Sequence, residues 1–170
     1  MSTKAQVWTT DFIISILILV AMLTLFGRAI SNLATESRED ITPLIAEGRM
    51  ISDQLMSEGY PSNWNTTNVI SFGITTDKRI DKTKAEMFYS MNYSEKKRIL
   101  NTDYNFYTFL IDENNQLINI NGSYGTGQQN VTSNQTSVLL TDIDFNKLAK
   151  ITRLTIYESK ITRMVIYVWQ

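Results

Sequence analysis

The 170-residue chain contains no cysteine and no histidine. The first absence excludes disulfides, thiolate metal sites and cysteine nucleophiles, and leaves cysteine usage silent on the redox compartment. The second removes the commonest general base and the commonest transition-metal ligand, so any chemistry would fall to carboxylates, Lys, Tyr and Ser/Thr. There is no excess of one charge either: 16 basic against 17 acidic residues give a net charge of -1, and the basic stripe that nucleic acid requires is missing. Proline occurs only twice, at Pro43 and Pro61. The length suits one ordinary domain with a separable N-terminal segment, not two independent cores.

What the chain does have is a long uncharged apolar run, residues 12–27 (FIISILILVAMLTLFG), bracketed by Asp11 and Arg28. At 1.5 Å per residue it measures about 24 Å, slightly short of the ~20 residues needed to cross a hydrocarbon core; extension back through Val7 and Trp8 closes the gap. That extension brings Asp11 to the membrane boundary, where an unpaired carboxylate is costly. Three readings fit such a run: a buried core helix, a cleaved secretory signal with Lys4 as its basic element and Gly27-Arg28-Ala29 near the cut, or a retained membrane helix.

The pattern beyond Arg28 favours the third. Apolar residues recur at Ile30, Leu33, Ile41, Leu44, Ile51 and Leu55, with Ser37 and Gly48 between them, and the opposite face carries Glu36, Arg38, Glu39, Asp40, Glu47, Arg49 and Asp53. That spacing predicts an amphipathic helix continuing from the span. Gly59 and Pro61 end it, and Pro43 imposes a kink or short break at residues 42–43. The expected organisation is a helix over residues 6–57, membrane-spanning at about 8–28 and amphipathic at about 29–57, followed by a head over residues 59–170.

The first twelve residues, M-S-T-K-A-Q-V-W-T-T-D-F, resemble the class III signal of archaeal type IV pilins and archaellins: a short basic leader, a small residue at the cut, Gln at the mature start, then an acidic residue before the apolar helix. The resemblance implies that residues 1–5 are a leader, with Lys4 and Ala5 preceding the cut and Gln6 following it, and that prepilin peptidase makes the cut. It also implies that Asp11 meets the N-terminal amine of a neighbouring subunit. Asp11 is the sixth mature residue, where the family usually has its acidic residue fifth, and Ala5 stands where glycine is usual. The G-Y-P-S-N-W-N turn, the F-Y-T-F-L-I-D-E-N-N-Q-L-I segment and the terminal R-L-T-I-Y…M-V-I-Y-V-W pair are similar to heads of archaeal pilin-like proteins.

In the head, residues 69–74 read as a strand, 75–81 as a polar connection, 82–91 as a helix, and 94–100 as a helix with Ser94 as its N-cap. Residues 104–111 and 116–120 read as a β-hairpin around Asp112-Glu113-Asn114-Asn115, residues 121–137 as a mobile polar loop, and 153–157 and 161–169 as two strands. An antiparallel sheet packed on the second half of the long helix makes the fold class α+β, with short helices completing the head.

Few groups suggest chemistry. Asp142 and Asp144 lack the glycine and the twelfth-position glutamate of an EF-hand, Gly122, Gly125 and Gly127 lack the helix and Lys-Ser/Thr of a phosphate cradle, and Glu95, Lys96, Lys97 and Arg98 read as the exposed side of a helix. Trp64 and Trp169 read as packing residues, Trp8 as an interfacial one. Five Asn-x-Ser/Thr sequons, at Asn65, Asn92, Asn121, Asn130 and Asn134, become glycosylation sites if the head lies outside the cell.

These readings give no cofactor, no metal and no enzyme. They give a structural subunit of a pilus-type surface filament, single-pass in the cell membrane with its head outside before assembly, whose partners are other subunits, prepilin peptidase and membrane lipid. The alternative is a single-span extracytoplasmic binding module that does not polymerise.

Overall fold

The computed structural model describes residues 3–36, 41–140 and 146–170, and side chains from residue 10 onward outside 32–36. It divides into two compact units, Met1–Asp40 and Ile41–Gln170.

The first unit is a single helix, α1 (Thr3–Glu36). Its segment Thr10–Ser31, 22 residues, is long and apolar enough to cross a membrane, and none of it is buried within the chain. At 1.5 Å per residue the segment spans about 33 Å, the thickness of a hydrocarbon core. Phe12, Leu17, Met22 and Leu25, pointing in different directions around the helix, are each more than 60% exposed. An apolar surface of this extent suits an apolar medium better than water. The polar side chains inside the run satisfy themselves. Ser15 Oγ donates to the carbonyl of Asp11 (2.8 Å) and Thr24 Oγ1 to that of Ala21 (2.8 Å), as hydroxyls must where no water is available.

The second unit begins with α2 (Thr42–Leu55), which starts after Ile41 with Pro43 in its first turn. There the missing proline N–H has no intrahelical partner to lose. Two tight β-strands, β1 (Thr75–Thr76) and β2 (Arg79–Ile80), form a hairpin through Asp77 and Lys78, both at positive φ. This hairpin occupies the stretch expected to be a plain connection. The strand expected at residues 69–74 does not form: Ser71 makes one bridge to Tyr60, and Phe72 and Ile74 are buried by wrapping the chain rather than by a ladder.

Helices α3 (Lys82–Ser90) and α4 (Tyr93–Leu100) follow. Asp81 caps α3 by accepting from Lys84 N (3.1 Å). The cap of α4 is Asn92, accepting from Ser94 N, not the expected Ser94, so the helix starts one residue earlier than its sequence suggested. A side-chain acceptor two residues ahead satisfies the orphan donor equally well.

The main sheet has the order β4 (Thr126–Gly127), β3 (Asn105–Ile111), β8 (Lys160–Trp169), β7 (Leu148–Tyr157), all antiparallel. Strands β7 and β8 are joined through Glu158 and Ser159, both at positive φ, the two-residue turn whose twist matches its strands. Residues 116–120 are not the full partner strand of β3. They make one bridge to β3, Leu117 to Ile111, while β8 takes the whole length of β3. Instead of a structureless loop, residues 121–137 carry β4 and β5 (Thr132–Ser133), the latter paired with β6 (Val138–Leu139).

Alternation assigns the two sheet faces. Phe106, Leu110, Met164, Ile166 and Val168 face α2 and α3, where they pack with Leu44, Ile51, Leu55, Phe72 and Phe88. Tyr107, Phe109, Val165 and Trp169 face the other way, onto Leu117 and Val131. The polar excursion after β3 is thus the lid of a second core. Each fully buried side chain contributes about 1.5–3 kcal/mol, and Trp64 and Trp169, at 2% and 1% exposed, are packing residues as expected.

Two buried hydroxyls, Tyr89 Oη and Thr155 Oγ1, have no hydrogen-bond partner among the described residues. Burial pushes the Tyr89 phenol well above its ordinary value. A buried hydroxyl without a partner costs about 1–3 kcal/mol. Tyr89→Phe and Thr155→Val are therefore expected to stabilise the head, each by about 1 kcal/mol or a rise of roughly 3 °C in Tm. Thermal unfolding by circular dichroism checks it; a lowered Tm in both variants would place an unseen partner on these oxygens.

Candidate membrane and surface site

The residues implicated in leader processing, Lys4, Ala5 and Gln6, lie consecutively near the start of α1. Asp11 lies one turn further along, exposed, at the second position of the apolar segment Thr10–Ser31. The order along the helix is therefore Lys4-Ala5-Gln6, carboxylate, apolar surface. A carboxylate at the margin of such a segment gains from any cation that reaches it, and an α-amine freed nearby is one. Arg28, the other charge of the segment, sits near its far end, where a long stem lets a guanidinium reach water.

The head is fastened to α2 in two ways. Leu44, Gly48, Ile51, Ser52 and Leu55 are buried against the sheet, and at Gly48 a Cβ would come within 2.6 Å of Ile151 Cγ1, so the helix rests directly on β7. Arg153 of β7 donates to Ser52 Oγ (2.9 Å) and pairs with Asp53. Of the expected stripe, Ile41 is exposed.

All five sequon asparagines are exposed, in turns rather than in strands. Asn65 Oδ1 accepts from Thr67 N and Oγ1 (2.9 and 2.7 Å), Asn92 caps α4, and Asn134 Oδ1 accepts from Thr136 and Ser137. Asn121 adopts the left-handed conformation that asparagine tolerates. Asp142 and Asp144 lie outside the described residues. Asp112 is a turn residue, its Oδ1 accepting from Asn114 N and Gln116 N (2.9 and 2.8 Å), and Glu113 is exposed beside it.

Two lysines are buried, one of them against the sequence reading. Lys96, expected on an exposed face, is 2% exposed. Its Nζ donates to the carbonyl of Tyr89 (3.3 Å) and to Thr126 Oγ1, and lies 5.0 Å from the centre of the Phe88 ring. Burial pulls its pKa down to about 8. Lys84 is likewise buried, donating to the carbonyls of Glu58 (2.9 Å) and Thr75 (3.3 Å). Lys84 ties α3 to the backbone at Glu58 and Thr75, and Lys96 ties α4 to the Tyr89 carbonyl of α3 and to Thr126 of β4. Nothing in the local charge pattern distinguishes them from solvated lysines; only the aromatic neighbours Phe88 and Tyr89, one helix earlier, hint that a stem could lie down there.

No protein-family model, curated protein or solved structure matches the chain.

Proposed function

We propose that this protein is a pilin-like subunit of an archaeal type IV pilus-type surface filament, held in the membrane by α1 before assembly and packed through the same helix afterwards. The observation that carries the reading is the exposed apolar surface of Thr10–Ser31, none of it buried among the described residues, with Lys4-Ala5-Gln6 before it and Asp11 at its start. One helix surface serves both states: lipid covers it first, neighbouring subunits later. Because dispersion and packing rather than water expulsion drive helix association in lipid, pairing of Asp11 with the freed amine at Gln6 gives assembly its specificity.

In this reading prepilin peptidase cuts between Ala5 and Gln6, the head stands outside the cell, and the exposed sequons carry sugar. The protein is structural, not an enzyme, and needs no cofactor. A second reading is supported by the compact head alone: a single-span binding module that does not polymerise.

The two separate on the native N-terminus. Mass spectrometry of membrane and sheared surface material is expected to find a mature chain starting at Gln6, with filaments in electron micrographs. Asp11→Ala is expected to leave cleavage and membrane level unchanged and to lower filament yield at least tenfold. An intact Met1 in a monodisperse, detergent-soluble protein would sink the filament reading and favour the module.

A further inference from the structure

Beside the edge strand β4, on the lid of the second core, the head has an open cleft of about 390 Å³, within the ~300–1,000 Å³ of small-ligand sites. Its walls are Gly125 to Gly127 on one side and the arm ending in Thr132 and Ser133 on the other, with Tyr107 between them. A Cβ on Gly125 would lie 2.5 Å from the Tyr107 ring, and one on Gly127 would lie 2.3 Å from the carbonyl oxygen of Phe106. Glycine therefore keeps the first wall down to backbone. Tyr107 is tied to the second wall by a hydrogen bond between its Oη and Ser133 Oγ (2.8 Å).

The chemistry of the lining is narrow. Tyr107, Gln128, Gln129, Thr132 and Ser133 carry hydroxyl or carboxamide groups, each a donor and an acceptor at once, while the Thr126 hydroxyl turns inward to Lys96 and the Tyr89 carbonyl. Among the described lining residues none is acidic or basic, in a chain of which 19% is charged. Lys96 lies behind Thr126, but it is buried and its ammonium is spent on Thr126 and on the Tyr89 carbonyl. A phosphate or carboxylate would find no cation to pair with here, and an apolar ligand would strand the lining hydroxyls. A ring bearing several hydroxyls, each able to give and take a hydrogen bond, suits such a lining.

We propose that this cleft binds a neutral saccharide. The inference stands apart from the filament reading, since a head can hold sugar whether or not it polymerises. With an open cleft and a Tyr107 ring too buried to stack on (4% exposed), affinity for a single sugar is in the range of about 1–10 mM.

The test uses the full chain in detergent micelles, labelled with nitrogen-15, and follows amide shifts on addition of the methyl glycosides of glucose, galactose and mannose and of N-acetylglucosamine, each to about 50 mM. At least one is expected to shift amides of residues 123–133 and no distant set, whereas glucuronate and glucosamine at the same concentration leave them in place. Gln129→Ala with Thr132→Val changes two exposed residues and is expected to weaken binding about tenfold with the rest of the spectrum intact. Should that pair disturb the fold, Gln129→Ala alone is expected to weaken binding about threefold. Failure of every neutral sugar to shift these amides, equal shifts from the charged sugars, or undiminished binding by the folded variants would overturn the proposal.

Discussion

Gly73→Ala is expected to unfold the head under conditions where the unsubstituted protein is stable, with a loss of about 4 kcal/mol or more and a fall in Tm of roughly 10 °C. Gly73 sits where two stretches of backbone meet. A Cβ there would lie 2.0 Å from Gly59 N, 2.4 Å from the carbonyl oxygen of Ser57 and 2.5 Å from the carbonyl carbon of Glu58. All three are main-chain atoms, so no side chain can swing aside. Moving the strands apart would break Ile74 N to Leu55 O (2.8 Å), Thr75 N to Ser57 O (3.1 Å) and Tyr60 N to Ser71 O (2.9 Å). It would also disturb the bond from Trp64 Nε1 to the Gly73 carbonyl (2.8 Å), and with it the edge-to-face chain Trp64, Phe72, Phe88. Gly122→Ala is the control: its φ of +82° imposes strain, but the added Cβ meets nothing within 4 Å, so about 1 kcal/mol is expected. Denaturant unfolding followed by tryptophan fluorescence compares them. Equal and small losses in the two variants would show that the crossing relaxes.

The parts of this architecture that the sequence revealed are those whose burial follows a local period. Leu44, Gly48, Ile51 and Leu55 repeat as a helix stripe, and Met164, Ile166 and Val168 alternate as a strand face, so α2 and β8 were legible. The α1 run was legible by length alone. What stayed hidden depends on partners far along the chain. Phe72 and Ile74 looked like strand residues, yet their burial comes from wrapping around the end of α2. Residues 121–137 looked solvated because their one large buried apolar residue, Val131, covers a sheet face built some 35 residues later by Val165 and Trp169. The proposed leader and Asp11 are of another kind. Their significance lies in order along the chain, which a sequence displays as fully as a structure does.

Lys96 is the residue whose environment was least legible, and it makes the stability of the head rise with pH. Its pKa is near 8 in the folded chain, lowered by burial from 10.5. The unfolded chain therefore holds this proton more tightly than the folded one. The cost of the buried charge is fully present below pH 8 and is relieved as pH climbs toward 10.5, by up to about 3 kcal/mol at 1.36 kcal/mol per pH unit. Phenols act in the opposite sense: burial raises Tyr89, Tyr93, Tyr107, Tyr157 and Tyr167, so their contribution is lost above about pH 10. The window for Lys96 is therefore pH 7.5–9.5, where roughly 2 kcal/mol of gain is expected. Lys96→Met keeps the buried stem, removes the charge, and leaves the Tyr89 carbonyl without its ammonium donor. It is expected to be within about 1 kcal/mol of the unsubstituted protein at pH 7.5, less stable at pH 9.5, and flat between. Urea titrations at three pH values decide it. Parallel slopes in the two proteins would mean that the ammonium reaches water and that Lys96 does not govern the pH response.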